Sequence, residues 1–272
     1  RNGISVSTVD LSEIFASIDK LGDGDTAVAE ESRRIEAYAS TDMADRAKIV
    51  KMAKLGVVLR EWIDEHSIDA VGFQCWSSIQ ANLGINPCTV MSMLSEELVP
   101  SACEVDVTGV LTMYAMQHAA GSPAGIVDWN NNYGDVSNKC VFFHCGNWAK
   151  SLTGGKTAVS VAPILGSTLG VENTTGALEA RAPAGPLTYG RLTTDDTAGL
   201  IRAYLGEGSF TDDELDTFGS RAVVEIPELQ KLLHHICNHG FEHHVVMTRS
   251  NTAAVLEEAL SKYLGWEVYR HG

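Results

Sequence analysis

Basic residues are scarce in this chain: 20 Lys and Arg stand against 35 Asp and Glu in 272 residues, a formal net charge of −15 at pH 7. A nucleic-acid backbone requires a basic patch that neutralises phosphates, and no Lys/Arg grouping amounts to one, so nucleic acid is excluded as the main partner. No window approaches the ~18 uninterrupted apolar residues of a membrane span, which predicts a soluble protein without a membrane partner. The six cysteines (Cys75, Cys88, Cys103, Cys140, Cys145 and Cys237) form no CxxC pair. A chain of this size does not depend on disulfides, so reduced thiols in a cytoplasmic protein are expected. HExxH, zinc-finger spacing and the GxSxG elbow are all missing. The tempting run Gly154-Gly155-Lys156-Thr157 has Lys150 where a phosphate-binding loop needs its first glycine.

What is present suits a folded chain. With 44% hydrophobic and 20% charged residues there is material for one large or two ordinary domains. The chain opens at Arg1 without a charged n-region, apolar h-region or cleavage site, and residues 3–15 read as a strand running directly into a helix; a fragment of a longer protein is expected.

Residues 3–9 alternate as a strand, and 10–20 are helical, with Asp10 or Ser12 as cap. Residues 42–66 carry apolar side chains at helical spacing. Residues 68–74 form a short apolar run fit for a buried parallel strand. Helices follow at 77–83 and 88–98, separated by a Gly/Asn/Pro break, and a strand at 99–104. The βαβα order predicts an α/β first domain over 1–123, Rossmann-like, its parallel sheet covered by helices on both faces. Beyond Gly121 the texture changes to short β-prone runs at 124–128, 139–145, 174–182, 186–194, 199–205 and 221–226. These predict a mainly antiparallel, β-barrel-like second domain over 124–272, with helices at 227–238 and 251–264 flanking a strand at 243–249.

Ligands of open parallel sheets collect at the carboxyl ends of strands. Gln74, Glu104, Asp128 and His144 sit at such ends. Asp106 reads as the N-cap of a helix starting at Val107 rather than as a catalytic acid. Glu104, at a strand terminus, has no such capping role. Asp128, followed by Trp-Asn-Asn-Asn, also suits the start of an Asx turn, and His144 also suits a core position. Five histidines crowd into residues 234–244. If His243 and His244 lie in a strand, their side chains point opposite ways and at most one enters a given site. Two carboxylates and one imidazole suit a hard divalent cation, Mn²⁺ or Mg²⁺, better than a structural Zn²⁺ cage.

Four segments carry a family resemblance: GFQCW at 72–76, ACEVDVTG at 102–109, IVDWNNNY at 126–133 and HHVVMT at 243–248, with Glu104 and Asp128 separated by 24 positions. Together they resemble the L-fucose isomerase and L-arabinose isomerase superfamily, closest to the fucose isomerase branch. The resemblance runs over nearly the whole chain and implies its second and third domains, with an N-terminal domain absent from this chain. It implies a divalent metal, usually Mn²⁺, held by Glu104, Asp128 and His244, and a sugar-hydroxyl contact at Gln74. His144 faces the sugar pocket by analogy, although fucose isomerase proper lacks the His-Cys-Gly sequence there. The linker between Asp128 and His244 is shorter than in that enzyme, which leaves the sugar open. The implied activity is aldose–ketose isomerisation of a monosaccharide through a cis-enediol, with Glu104 and Asp128 as base and acid, in a homo-oligomer (trimer or hexamer) of the full-length protein. Two other readings are a metal-dependent sugar lyase or transferase that uses the same enediolate, and a catalytically silent sugar-binding or assembly module.

Overall fold

The computed structural model describes residues 3–272. Helices dominate the first part. The Asp10 carboxylate accepts the Ser12 backbone N–H at 2.8 Å and starts α1 (Leu11–Ile18). Helix α2 (Thr26–Tyr38) packs on the long α3 (Arg46–His66), burying Val28 and Ile35 with Ile49, Met52, Leu55, Leu59 and Ile63. Helices α4 (Ser78–Leu83) and α5 (Cys88–Glu96) complete this layer.

The expected Rossmann-like sheet is much smaller than predicted. Among the described residues it consists of β1 (Val71–Gly72) and β2 (Ser101–Ala102), paired in parallel as Val71↔Ser101 and Gly72↔Ala102. Residues 3–9 form no strand, because their alternation has no core to face: Ile4 and Val6 are 48% and 65% exposed. Beyond β2 the chain enters α6 (Val107–Ala120), which stops at Gly121 in the left-handed conformation (φ 63°) that ends many helices.

The second part adds β3 (Gly125–Asn132), β4 (Lys139–His144), β5 (Thr157–Ser160), α7 (Pro163–Leu169), β6 (Ala177–Arg181), β7 (Gly185–Asp195), β8 (Leu200–Thr211) and β9 (Ser220–Glu225). It closes with α8 (Leu229–Asn238), β10 (His244–Thr248), α9 (Ala253–Glu257), which continues as a π-helical turn, and β11 (Glu267–His271). The strands make one mixed nine-stranded sheet in the order β11-β8-β7-β10-β3-β4-β9-β6-β5. Two of its pairings, β11–β8 and β6–β9, are parallel, and the others are antiparallel. A further pairing of β8 with β9, from Ser209↔Glu225 to Thr211↔Val223, carries hydrogen bonding in a circuit through β8, β7, β10, β3, β4 and β9.

Alternation of side chains divides this sheet between two cores. Val127, Phe142, Tyr189, Tyr204 and Met247 pack with Trp148 and α8. Ile126, Leu192, Leu205 and Val246 pack against Met113 and Met116 of α6 and against Ala102 of β2. Helix α6 thereby fixes the ends of β2, β3 and β10 relative to one another. No helix among the described residues is long and apolar enough to cross a membrane.

Candidate active site

The site begins with an unusual turn at the end of β2. Glu104 and Val105 both have positive φ, +62° and +57°, a region that side-chain-bearing residues seldom adopt and β-branched ones least of all. The turn is pinned from two sides: Val105 N–H donates to the Phe73 carbonyl (3.2 Å) and Asp106 N–H to that of Cys103 (3.1 Å). Its product is a partly exposed Glu104 carboxylate at the carboxyl end of the parallel pair.

Sheet register supplies the other groups. His244 lies directly opposite Asp128 in the β10–β3 pairing, and Asp128 opposite Phe143 in β3–β4, so the next residue of β4, His144, arrives beside them. The buried Nε2 of His244 has no hydrogen-bond partner. It stands 3.8 Å from Glu104 Oε2 and 3.6 Å from Asp128 Oδ1. His244 thus lies within 4 Å of each carboxylate and is shared by two groups of possible ligands, Glu104 with His144 and Asp128 with His243. His144, 3% exposed, joins the same cluster: ligand atoms of Glu104, His144 and His244 all lie within 4.8 Å of one another.

Both histidine tautomers follow from their partners. His244 Nδ1–H donates to Asp106 Oδ2 at 2.8 Å, which leaves the Nε2 lone pair free toward the carboxylates. In His144 it is Nδ1 that accepts, from the Cys145 backbone N–H at 2.9 Å, so the neutral ring carries its proton on Nε2. That nitrogen too is buried without a partner.

Asp106 does cap α6, accepting the Gly109 N–H at 2.8 Å. It has a second role that sequence reasoning missed. The guanidinium of Arg191, buried on β7, grips both oxygens of Asp106, donates to Thr108 Oγ1 at 2.8 Å, and reaches Glu242 at 3.2 Å. Burial alone would raise the pKa of Asp106, but the His244 hydrogen bond and Arg191 overturn this and hold it well below the usual carboxylate range. A permanently ionised Asp106 orients the ring of His244, the carboxylate–histidine arrangement common behind metal ligands. One signal for Arg191 was available: an arginine inside the apolar strand Leu187–Leu192 requires a buried carboxylate partner.

His243 corrects the expectation that only one of the paired histidines reaches a given site. It precedes β10 rather than belonging to it, and its exposed Nε2 lies 3.3 Å from the same Asp128 Oδ1. Gln74 is exposed just beyond β1, at the same end of the parallel pair as Glu104, and no hydrogen bond among the described residues joins it to the cluster.

This donor set, two carboxylates and an imidazole lone pair, fits a hard divalent cation such as Mn²⁺ or Mg²⁺, and the partnerless Nε2 is the atom that such an ion would satisfy. Residues 142–271 match the family described as "L-fucose isomerase, C-terminal domain". Over that stretch, just under half of its length, the chain is similar to the L-fucose isomerase family. Among similar proteins is a sulfoquinovose isomerase of Alkalicoccus urumqiensis, 25% identical over 261 residues, which cover 94% of this chain and 56% of that protein. Sulfoquinovose isomerases of Priestia aryabhattai (25% over 257 residues, 94% and 56%) and Clostridium sp. strain MSTE9 (28% over 157 residues, 58% and 34%) are also similar. The chain thus spans little more than half the length of the longest-matching relatives. The fucose isomerase-like match contains His144 and His244, whereas Glu104 and Asp128 precede it.

Proposed function

We propose that this chain supplies the metal- and sugar-binding part of a ketol isomerase that interconverts an aldose and a ketose through a cis-enediol. The observation that carries the reading is the unpartnered Nε2 of His244 between the carboxylates of Glu104 and Asp128. In this reading Glu104, Asp128 and His244 hold Mn²⁺ or a similar divalent cation. When bound, that cation supplies Lewis-acid polarisation of two neighbouring sugar oxygens.

The remaining chemistry belongs to side chains. Isomerisation moves one proton between C2 and C1 and another between the attached oxygens, with no net gain or loss of atoms. Glu104 and Asp128 act as base and acid for these transfers. His144 directs its Nε2–H at a sugar oxygen, and Gln74 supplies a further hydroxyl contact. Asp106 and Arg191 do not touch the sugar; they keep His244 in the tautomer and orientation that the site requires.

The names of the similar proteins make a sulfonated hexose the first substrate to assay, followed by L-fucose, L-arabinose and hexose phosphates. The circuit of strand pairing supports a barrel-like second domain over 124–272, following a first domain over 1–123; a cytoplasmic homo-oligomer is part of the same proposal. The test is Glu104→Gln in the full-length protein. Loss of aldose–ketose conversion by ~100-fold or more is expected, the scale of removing an acid–base group. Conversion at the wild-type rate would sink the proposal, and shorter carbon fragments among the products would turn it toward carbon–carbon cleavage.

A further inference from the structure

Four of the six cysteines come together where the helical layer meets the nine-stranded sheet. Cys75 follows β1, Cys103 follows β2, Cys88 opens α5 and Cys145 follows β4. Cys75, Cys88 and Cys103 are 3%, 1% and 0% exposed, while Cys145 keeps partial access to solvent. The remaining two take no part, Cys140 being enclosed in the sheet core and Cys237 exposed on α8.

The spacing inside the cluster is specific. Cys88 Sγ lies 3.8 Å from Cys145 Sγ, and Cys145 Sγ lies 3.5 Å from His144 Nδ1. Ligand atoms of Cys103, His144 and Cys145 are all within 4.8 Å of one another. The Cys103 thiol also faces those of Cys145, Cys75 and Cys88. A tetrahedral ion with metal–sulfur bonds of ~2.3 Å and metal–nitrogen bonds of ~2.05 Å has sulfur–sulfur edges of ~3.8 Å and sulfur–nitrogen edges of ~3.6 Å. The Cys88–Cys145 and Cys145–His144 pairs already stand at those separations, and the Cys103 thiol lies within 4.8 Å of Cys145 and His144. Two amides are placed to support negative sulfur: Asn147 Nδ2 donates to Cys103 Sγ at 3.5 Å and Asn86 Nδ2 to Cys88 Sγ at 3.7 Å.

We infer that Cys88, Cys103 and Cys145 form a second, thiolate metal site for Zn²⁺, with Cys75 or His144 Nδ1 as the fourth ligand. Soft thiolates select such an ion, whereas the carboxylate-rich cluster beside them suits a hard one, so the two sites sort cations by chemistry rather than compete for one. Each coordinating thiol gives up its proton on binding, and uptake therefore strengthens as pH rises. A structural consequence follows for Glu104, whose neighbour Cys103 would be anchored.

The test loads the full chain with Zn²⁺ in the presence of excess Mn²⁺ and records zinc-edge X-ray absorption. A shell of about three sulfur neighbours at ~2.3 Å is expected. The double variant C88S/C145S loses that shell and weakens zinc retention at least tenfold, while C237S keeps both and C75S tells whether Cys75 or His144 completes the site. Zinc surrounded only by oxygen and nitrogen in the wild-type chain overturns the inference, whatever the variants do. So does the loss of two free thiols to a Cys88–Cys145 disulfide with no zinc uptake.

Discussion

A β-branched residue in the left-handed region, as at Val105, costs on the order of 1–3 kcal/mol. The flanking hydrogen bonds to Phe73 and Cys103 hold it there, and the placement of Glu104 is what the strain accomplishes. Next to it, Asp106 serves a helix, an arginine and a histidine at once. Asp106→Asn keeps an oxygen for the Gly109 N–H but removes the charge that faces Arg191 and His244. On the metal-binding reading, affinity for Mn²⁺ measured by calorimetry is expected to fall ~10–100-fold; an unchanged affinity would detach Asp106 from the function of His244. Cys140 titrates in another way. Burial pushes its thiol up to about 12, against ~8.5 in an unfolded chain. The folded state therefore retains a proton that the unfolded state loses, so the stabilising contribution is complete below pH ~8.5 and declines as pH rises toward 12. Urea midpoints of the wild type are expected to fall more steeply than those of C140S between pH ~9 and ~11; parallel curves would contradict this.

At the scale of elements, Gly146 shows how tightly β4 is joined to its surroundings. Its φ is +123°, its carbonyl accepts the Leu178 N–H at 3.2 Å, and a Cβ would stand 2.2 Å from the Leu178 nitrogen. Gly146→Ala combines backbone strain with overpacking, each worth about 1–3 kcal/mol, and the summed loss should appear in urea denaturation. A variant as stable as the wild type would show that β4 and β6 have freedom to separate. Elements with sustained periodicity were legible in the sequence: α3 and strands β3, β4, β7, β8, β9 and β10 fall on runs whose alternation or helical spacing matches their burial. Helix α2 was not, because Glu31 and Ser32 occupy its buried face; the Glu31 carboxylate is sheltered by Arg34 and Arg60, partners that local spacing does not reveal in full. The short edge strands β5 and β11 were equally silent. Among candidate site residues, Glu104, Asp128 and His144 stood out in the sequence by their positions at strand ends, whereas His244 entered through the family resemblance. Arg191 inside an apolar strand signalled a buried carboxylate partner but not which one, since its bond to Asp106 spans 85 residues of chain.

Considered whole, the helical layer and the sheet share too many bonds to behave as separate bodies. Asn86 and Thr89 donate their backbone N–H groups to Thr175 and Gly176 at 2.7 and 2.8 Å. Ser92 Oγ donates to the Trp148 carbonyl, and Tyr38 Oη accepts the Lys150 N–H at 2.8 Å. Calorimetry of the chain is therefore expected to show a single cooperative unfolding transition, and two resolved transitions would contradict the packing described for α5. His144 draws the same unity down to one ring. It belongs both to the carboxylate cluster and to the thiol cluster, and its two nitrogens cannot be protonated, deprotonated or coordinated independently. Any occupant of one cluster therefore alters the free energy of occupying the other, and thermodynamic reciprocity makes the effect equal in both directions.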